Sequence, residues 1–210
     1  MSNNPVIVFE GIETSGKSTN INILSNHLKK INKKFIKIRE PGGSKYSEII
    51  RNLILNNKSK LNFKSDLLLI MASRSENMDK IIKKNYKKKI ILIDRFYDST
   101  FAYQHYGMGM NLNLLKKINN FVTNKFKPDL TFLSIVNQRN MKKRLISRKK
   151  KNKYDKFNYS FYNKVQKGFL KIASHNKKYI ILDSNYMNIN QNKIIIIDKL
   201  NKLIKYNDKK

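Results

Sequence analysis

The chain of 210 residues contains no cysteine, which excludes disulfide frameworks, thiolate zinc sites and cysteine nucleophiles. No apolar run approaches the roughly 18–20 residues that a membrane-spanning helix needs. Met1-Ser2-Asn3-Asn4 leads straight into a strand-like run, without the basic segment and apolar core of a secretion signal. These absences predict a soluble protein of the cytoplasm with no membrane partner. Glycine is also scarce. Six of the seven fall in three places, Gly11 and Gly16, Gly42 and Gly43, Gly107 and Gly109, which marks backbone where a Cβ is not tolerated. The length suits one domain able to bury a core without staples.

Acidic residues are few, 14 against 45 Lys and Arg, for a formal net charge of +31. Such a balance can signal a polyanion partner. Here the lysines run along the whole chain together with abundant Asn and Ile, a composition typical of AT-rich coding sequence. No aromatic-basic binding motif accompanies them, so the reading is a solvated lysine coat and no specific nucleic-acid partner. The converse is sharper. The basic positions that stay Arg (39, 51, 74, 95, 139, 144 and 148) are candidates for sites that need a planar, bidentate fork.

Strand-length apolar runs occupy residues 6–9, 35–38, 90–93, 130–135 and 179–182. Helical periodicity follows the first of them, with Ile21, Leu24 and Leu28 on one face, and recurs near 46–56, 65–85, 111–126, 138–149, 160–174 and 190–206. This alternation predicts an α/β fold, a parallel sheet covered on both faces. No repeat or linker suggests a domain boundary. Arg144 to Lys156 has little apolar content and reads as a mobile loop between two helices, either a solvated connection or a lid closing over phosphates.

Gly11-Ile12-Glu13-Thr14-Ser15-Gly16-Lys17-Ser18 fits G-x-x-x-x-G-K-[ST] and sits where that pattern must, closing a buried strand and opening an amphipathic helix. The glycines let backbone N–H groups wrap phosphates, and the helix N-terminus adds partial positive charge. Lys17 would reach the β- and γ-phosphates and Ser18 would ligate Mg²⁺. Ile90-Ile91-Leu92-Ile93-Asp94 is an apolar strand ending in a carboxylate that can hold Mg²⁺ through water, and Arg95 directly after it suits a second phosphorylated substrate. A nucleoside-triphosphate site is the conclusion.

The P-loop after Phe9-Glu10, then Arg39-Glu40-Pro41-Gly42-Gly43, Ala72-Ser73-Arg74, Asp94-Arg95-Phe96, Ser99-Thr100-Phe101-Ala102-Tyr103-Gln104 and Lys127-Pro128-Asp129-Leu130 together resemble bacterial thymidylate kinases, in that order and across essentially the whole chain. The resemblance implies a P-loop NTPase three-layer sandwich, a five-stranded parallel sheet in order 2-3-1-4-5 with a lid near 144–156, and a homodimer packed through helices. It also implies ATP- and Mg²⁺-dependent conversion of dTMP to dTDP. Gly11, Ile12, Glu13, Thr14, Ser15, Gly16, Lys17, Ser18 and Thr19, with Arg144, are then the expected ATP contacts, and Ser18 and Asp94 the metal ligands. Arg95 and Arg51 resemble the arginines that grip the acceptor phosphate. Arg74 resembles the residue that bonds thymine, aided by Thr100 and Gln104 from the motif that Ser99 opens. Glu13 resembles the carboxylate near the sugar 3′-hydroxyl, Tyr103 the ring that favours deoxyribose, and Glu40-Pro41 a substrate-facing turn whose peptide is often cis.

Three departures from the family stand out. Ile70 occupies a position where the family usually has a Phe stacked on thymine. Asn152-Lys153-Tyr154-Asp155 replaces an Asp-Arg-hydrophobic-Glu run. Thr14 and Ser15 provide no P-loop arginine, so the cation for the transferring group must come from Arg144, Arg148 or Lys153. Lys153 aligns with the family's lid arginine but is a point charge. Arg148 keeps the fork and is favoured as at least a partner in that role. A different nucleoside monophosphate kinase would share the P-loop and lid but not the Ser-Thr-x-Ala-Tyr-Gln pocket. His27, His105 and His175 lack ligand spacing.

Overall fold

A computed structural model describes residues 4–148, 151–174 and 176–208, with side chains described to residue 204. Met1 to Asn3, residues 149 and 150 of the anticipated lid, and His175 lie outside the described residues.

The sheet is five-stranded and all parallel, in the order β2-β3-β1-β4-β5, as the resemblance implies. Its strands are β1 (Val6–Glu10), β2 (Phe35–Arg39), β3 (Ile90–Asp94), β4 (Leu130–Ile135) and β5 (Tyr179–Asp183). Residues of β1 alternate between the two faces of the sheet, as a strand period of two requires. Ile7 and Phe9 join Leu24, Leu28, Ile196 and Leu200 on one side. Val6 and Val8 join Met78, Ile82 and Phe96 on the other. Burial on both faces explains why β1, β3 and β4 read as unbroken apolar runs.

The helices are α1 (Lys17–Lys30), α2 (Lys45–Leu55), α3 (Phe63–Asn77), α4 (Lys83–Asn85), α5 (Tyr97–Thr100), α6 (Leu112–Thr123), α7 (Gln138–Ile146), α8 (Tyr159–Ala173) and α9 (Ile189–Asp208). The abundant Asn now has a structural use. Asn62, Asn111, Asn137 and Asn158 cap α3, α6, α7 and α8, each side chain accepting a first-turn backbone N–H. No helix among the described residues is long and apolar enough to cross a membrane.

Two regions differ from the sequence expectation. After β3 the chain forms α5 and continues as a π-helical stretch, Phe101–Gly107, where no helix is predicted. Its inward residues include Thr100, Tyr103 and Gln104, so it lacks the apolar stripe that reveals a packed helix. The stretch from 144 to 156 is not a bare loop either. Arg144 to Ile146 complete α7, and Lys153–Lys156 form a 3₁₀ turn closed by a capping box between Asn152 and Asp155. Tyr154 anchors that turn, only 8% exposed, in the cluster that holds Tyr103 and Tyr162.

Candidate active site

The carboxyl ends of β1, β2 and β3 open into a cavity of about 500 Å³, the place where open α/β sheets bind ligands. Its floor is the P-loop. Gly11 lies at φ +139°, and a Cβ there would come within 2.2 Å of the Ser134 carbonyl oxygen. Gly16, at φ +99°, starts α1 in the left-handed region. Only glycine adopts these conformations without strain. Glu13, Thr14, Lys17 and Ser18 line the cavity. Gly11, Ile12, Ser15 and Gly16 lie outside the lining and form its support, and Thr19 is exposed on the first turn of α1. Lys17 is buried and donates to the Ile12 carbonyl at 2.6 Å. Burial, with Arg95 beside it, brings its ammonium down to about 7.

Arg95 faces the P-loop from the end of β3. One of its Nη atoms donates to the Gly11 carbonyl at 2.8 Å and to Ser99 Oγ at 3.2 Å, and the other meets Glu13 at 2.9 Å. Burial opposes its charge, but Tyr103, Glu13, Asp94 and Glu10 around it hold its pKa above the ordinary value. Burial likewise opposes charge on Glu13, and Arg95 and Lys17 outweigh it, so the carboxyl stays below its usual range. The Tyr103 hydroxyl donates to the other Glu13 oxygen. Arg51 lines the cavity and donates to the Pro41 carbonyl at 2.6 Å, across a Glu40–Pro41 peptide that is cis. Arg39 also lines the cavity and pairs with Glu48 at 2.9 Å. Arg39 belongs to the Arg-Glu-Pro-Gly-Gly motif, and its retention as Arg in a lysine-rich chain is the signal that marks it as a site residue.

Above Arg95 the wall changes character. Arg74 is 1% exposed, with Nε on Glu40 at 2.7 Å and one Nη on Asn119 at 3.2 Å. Its second Nη has no protein partner among the described residues. Thr100 Oγ1 is buried with no partner among the described residues, and the Gln104 amide bonds to no described side chain. These three groups line one cavity with Ile54, Leu55 and Ile70, so unpaired polar groups converge against an apolar wall.

The lid side contributes Arg144, Arg148, Asn152 and Tyr154 to the lining. Arg144 reaches the Thr14 carbonyl at 3.0 Å, and Arg148 pairs with the buried Asp155 at 2.6 Å. Lys153 does not line the cavity. Its Nζ sits 2.6 Å from Asp66 of α3 and 3.3 Å from the Leu61 carbonyl. Asp94 and Ser18 share the cavity with Lys17. A carboxylate and a hydroxyl are hard oxygen donors of the kind that hold Mg²⁺ beside phosphates with few protein ligands. Among the described residues no cluster of three or more acidic or His side chains offers a denser metal site.

The family model described as "Thymidylate kinase" matches residues 9–196. A thymidylate kinase of Sulfurihydrogenibium sp. is 39% identical over 197 residues, 92% of this chain and 95% of the relative. One from Wolbachia pipientis wMel is 42% identical over 170 residues, 80% and 84% of the two chains. The crystal structure of thymidylate kinase from Ehrlichia chaffeensis superposes with a TM-score of 0.76 at 33% identity, covering 94% of this chain and 98% of that one.

Proposed function

The chain belongs to the thymidylate kinase family and so phosphorylates dTMP to dTDP, and we propose that ATP is the donor and that both nucleotides meet in the cavity above the P-loop. The observation that carries the placement of dTMP is the buried, unpartnered Thr100 Oγ1, with the second Nη of Arg74 and the Gln104 amide beside it on the cavity wall. A buried polar atom without a partner costs about 1–3 kcal/mol, and a pyrimidine edge would satisfy all three at once. Ile54, Leu55 and Ile70 would cover the ring and its methyl. Arg95 and Arg51 would take the acceptor phosphate. Glu40 holds Arg74 in place, Glu13 would meet the sugar 3′-hydroxyl, and Tyr103 would crowd the 2′ position.

The P-loop amides and Lys17 would hold the donor phosphates, Lys17 recovering its charge as anionic oxygens arrive. Ser18 and Asp94 would hold Mg²⁺, which when bound neutralises charge on the β- and γ-phosphates. Arg144 and Arg148 face the same space from the lid side and would screen the transferring group, excluding water as they close. With the acceptor phosphate fixed by Arg95, transfer is a matter of in-line positioning and charge neutralisation. The dTDP formed is a precursor of dTTP, and the cytoplasm is the compartment this reading gives the enzyme.

A homodimer belongs to the same proposal. Tyr46, Ile49 and Leu53 on α2, Leu68 on α3, and Leu114 and Phe121 on α6 are large apolar side chains left exposed, Phe121 at 84%, as surface destined for a second copy would be. Light scattering of Phe121→Glu against the parent tests this: a shift to monomer supports it, and an unchanged mass rejects it. Thr100→Val tests the base pocket, because it keeps the shape and removes the hydroxyl. Calorimetric titration should show dTMP bound about tenfold more weakly and ATP unchanged. Equal dTMP affinity in the two proteins would remove the base from this wall.

A further inference from the structure

Glu10 closes β1, one residue before the P-loop, and is completely buried. No role in holding either nucleotide falls to it. Its carboxylate is nonetheless fully engaged. Oε1 accepts the backbone N–H of Phe96 at 2.8 Å and of Ser99 at 3.2 Å, and Oε2 accepts the Ser99 hydroxyl at 2.5 Å. A hydroxyl has one proton to give. Because Ser99 gives it to Glu10, the oxygen turns its lone pairs elsewhere, and Arg95 donates to it at 3.2 Å. Arg95 itself stands at φ +65°, a left-handed conformation costly for a residue with a side chain. Its backbone N–H is tied to the Phe9 carbonyl at 3.0 Å, the residue beside Glu10. The strained turn between β3 and α5 is therefore fastened to the end of β1 on both sides of the arginine.

We infer that Glu10 is a positioning residue for acceptor binding: by fixing the Ser99 hydroxyl and the backbone amides of Phe96 and Ser99, it aims the Arg95 guanidinium at the acceptor phosphate. The inference rests on the reading of Arg95 as the acceptor-phosphate grip. It extends that reading to a buried carboxylate that touches neither substrate. It also explains why an acid persists inside an otherwise apolar strand, where burying a carboxyl is costly unless every lone pair has a use.

Glu10→Gln keeps an amide oxygen for the two backbone N–H groups but cannot accept the Ser99 hydroxyl. Ser99→Ala breaks the same link from the other end, and Ser99→Thr restores the hydroxyl. Steady-state kinetics with dTMP and ATP varied separately should give a KM for dTMP raised about tenfold or more in Glu10→Gln and in Ser99→Ala. The kcat and the KM for ATP should stay within about threefold, Ser99→Thr should approach the parent, and the double variant should be no worse than the worse single. Multiplied effects in the double variant, or KM values for ATP and dTMP rising in step, overturn the inference. If Glu10→Gln does not fold, the Ser99 pair alone decides: Ala and Thr behaving alike rejects the link. Arg95→Ala separates the two levels. A raised dTMP KM there with a normal one in Glu10→Gln and Ser99→Ala defeats only this inference, whereas a normal KM in Arg95→Ala defeats it together with the reading beneath it.

Discussion

Lys153→Met separates a lid cation that touches the reaction from one that fastens the lid. Lys153 is 16% exposed and Asp66 1%, with 2.6 Å between their charged atoms. Asp66 Oδ1 has no partner among the described residues, so losing the lysine would leave the whole carboxylate buried without a countercharge. Removing one member of such a pair costs about 3–5 kcal/mol. At roughly 2–4 °C per kcal/mol for a protein of this size, the melting temperature should fall by about 6–20 °C. Lys153→Met combined with Asp66→Asn should regain most of that loss, since removing both charges leaves nothing uncompensated. Turnover at saturating ATP and dTMP, measured well below the melting point, should drop by about tenfold or less in Lys153→Met. Arg148→Ala should lose nearer 10³, the low end for an arginine supplied to phosphoryl transfer. Scanning calorimetry and a coupled assay on the four proteins decide it. A turnover loss above about 10³ at Lys153 with an unchanged melting temperature would refute the reasoning. It would mean that the lysine leaves Asp66 and meets the transferring group.

Lys17→Ala should leave far-ultraviolet circular dichroism unchanged and abolish phosphoryl transfer; parent-like turnover would remove the P-loop assignment. Ile70→Phe should tighten dTMP binding by about 1–3 kcal/mol through a base–aromatic stack, because Ile70 lines a cavity of about 500 Å³ with room for a ring; unchanged or weaker binding in calorimetry would show the wall repacked around the smaller side chain. Burial, and then Asp98, push the Glu10 carboxyl up from 4.5 to about 7. A carboxyl raised on folding gives stability that is complete below 4.5 and lost as pH climbs through 7. From pH 5 to 8 the parent should therefore lose roughly 2.5 kcal/mol relative to Glu10→Gln. A melting-temperature difference that is flat over that range would contradict the shift.

Much of this was legible in the chain before any fold was known. β1, β3 and β4 are buried on both faces, so composition alone betrays them, and the P-loop is a backbone device that only its glycines permit. Arg39, Arg51, Arg74, Arg95, Arg144 and Arg148 all line one cavity, and a chain that otherwise uses lysine had already set them apart. What stayed hidden has a common cause. The helix after β3 turns polar and aromatic groups inward because it faces the cavity, so periodicity does not report it. The direction in which Lys153 points depends on Asp66, 87 residues earlier, and no local pattern carries that. Yet Glu10 ends one apolar run and Asp66 opens another, in a chain with only 14 acidic residues. An acid in such a setting is a signal of a buried partner, and it was there to be read.

In the proposed function the wall of Ile54, Leu55, Ile70, Arg74, Thr100 and Gln104 selects thymidine monophosphate as acceptor. A single coupled assay offering dTMP, dUMP, dGMP and AMP in turn, with ATP and Mg²⁺, tests it directly. The highest kcat/KM should belong to dTMP. The value for dUMP should be lower by about 10–200-fold for want of one methyl in an apolar pocket, with little use of either purine. Equal or better use of dGMP or AMP would contradict it.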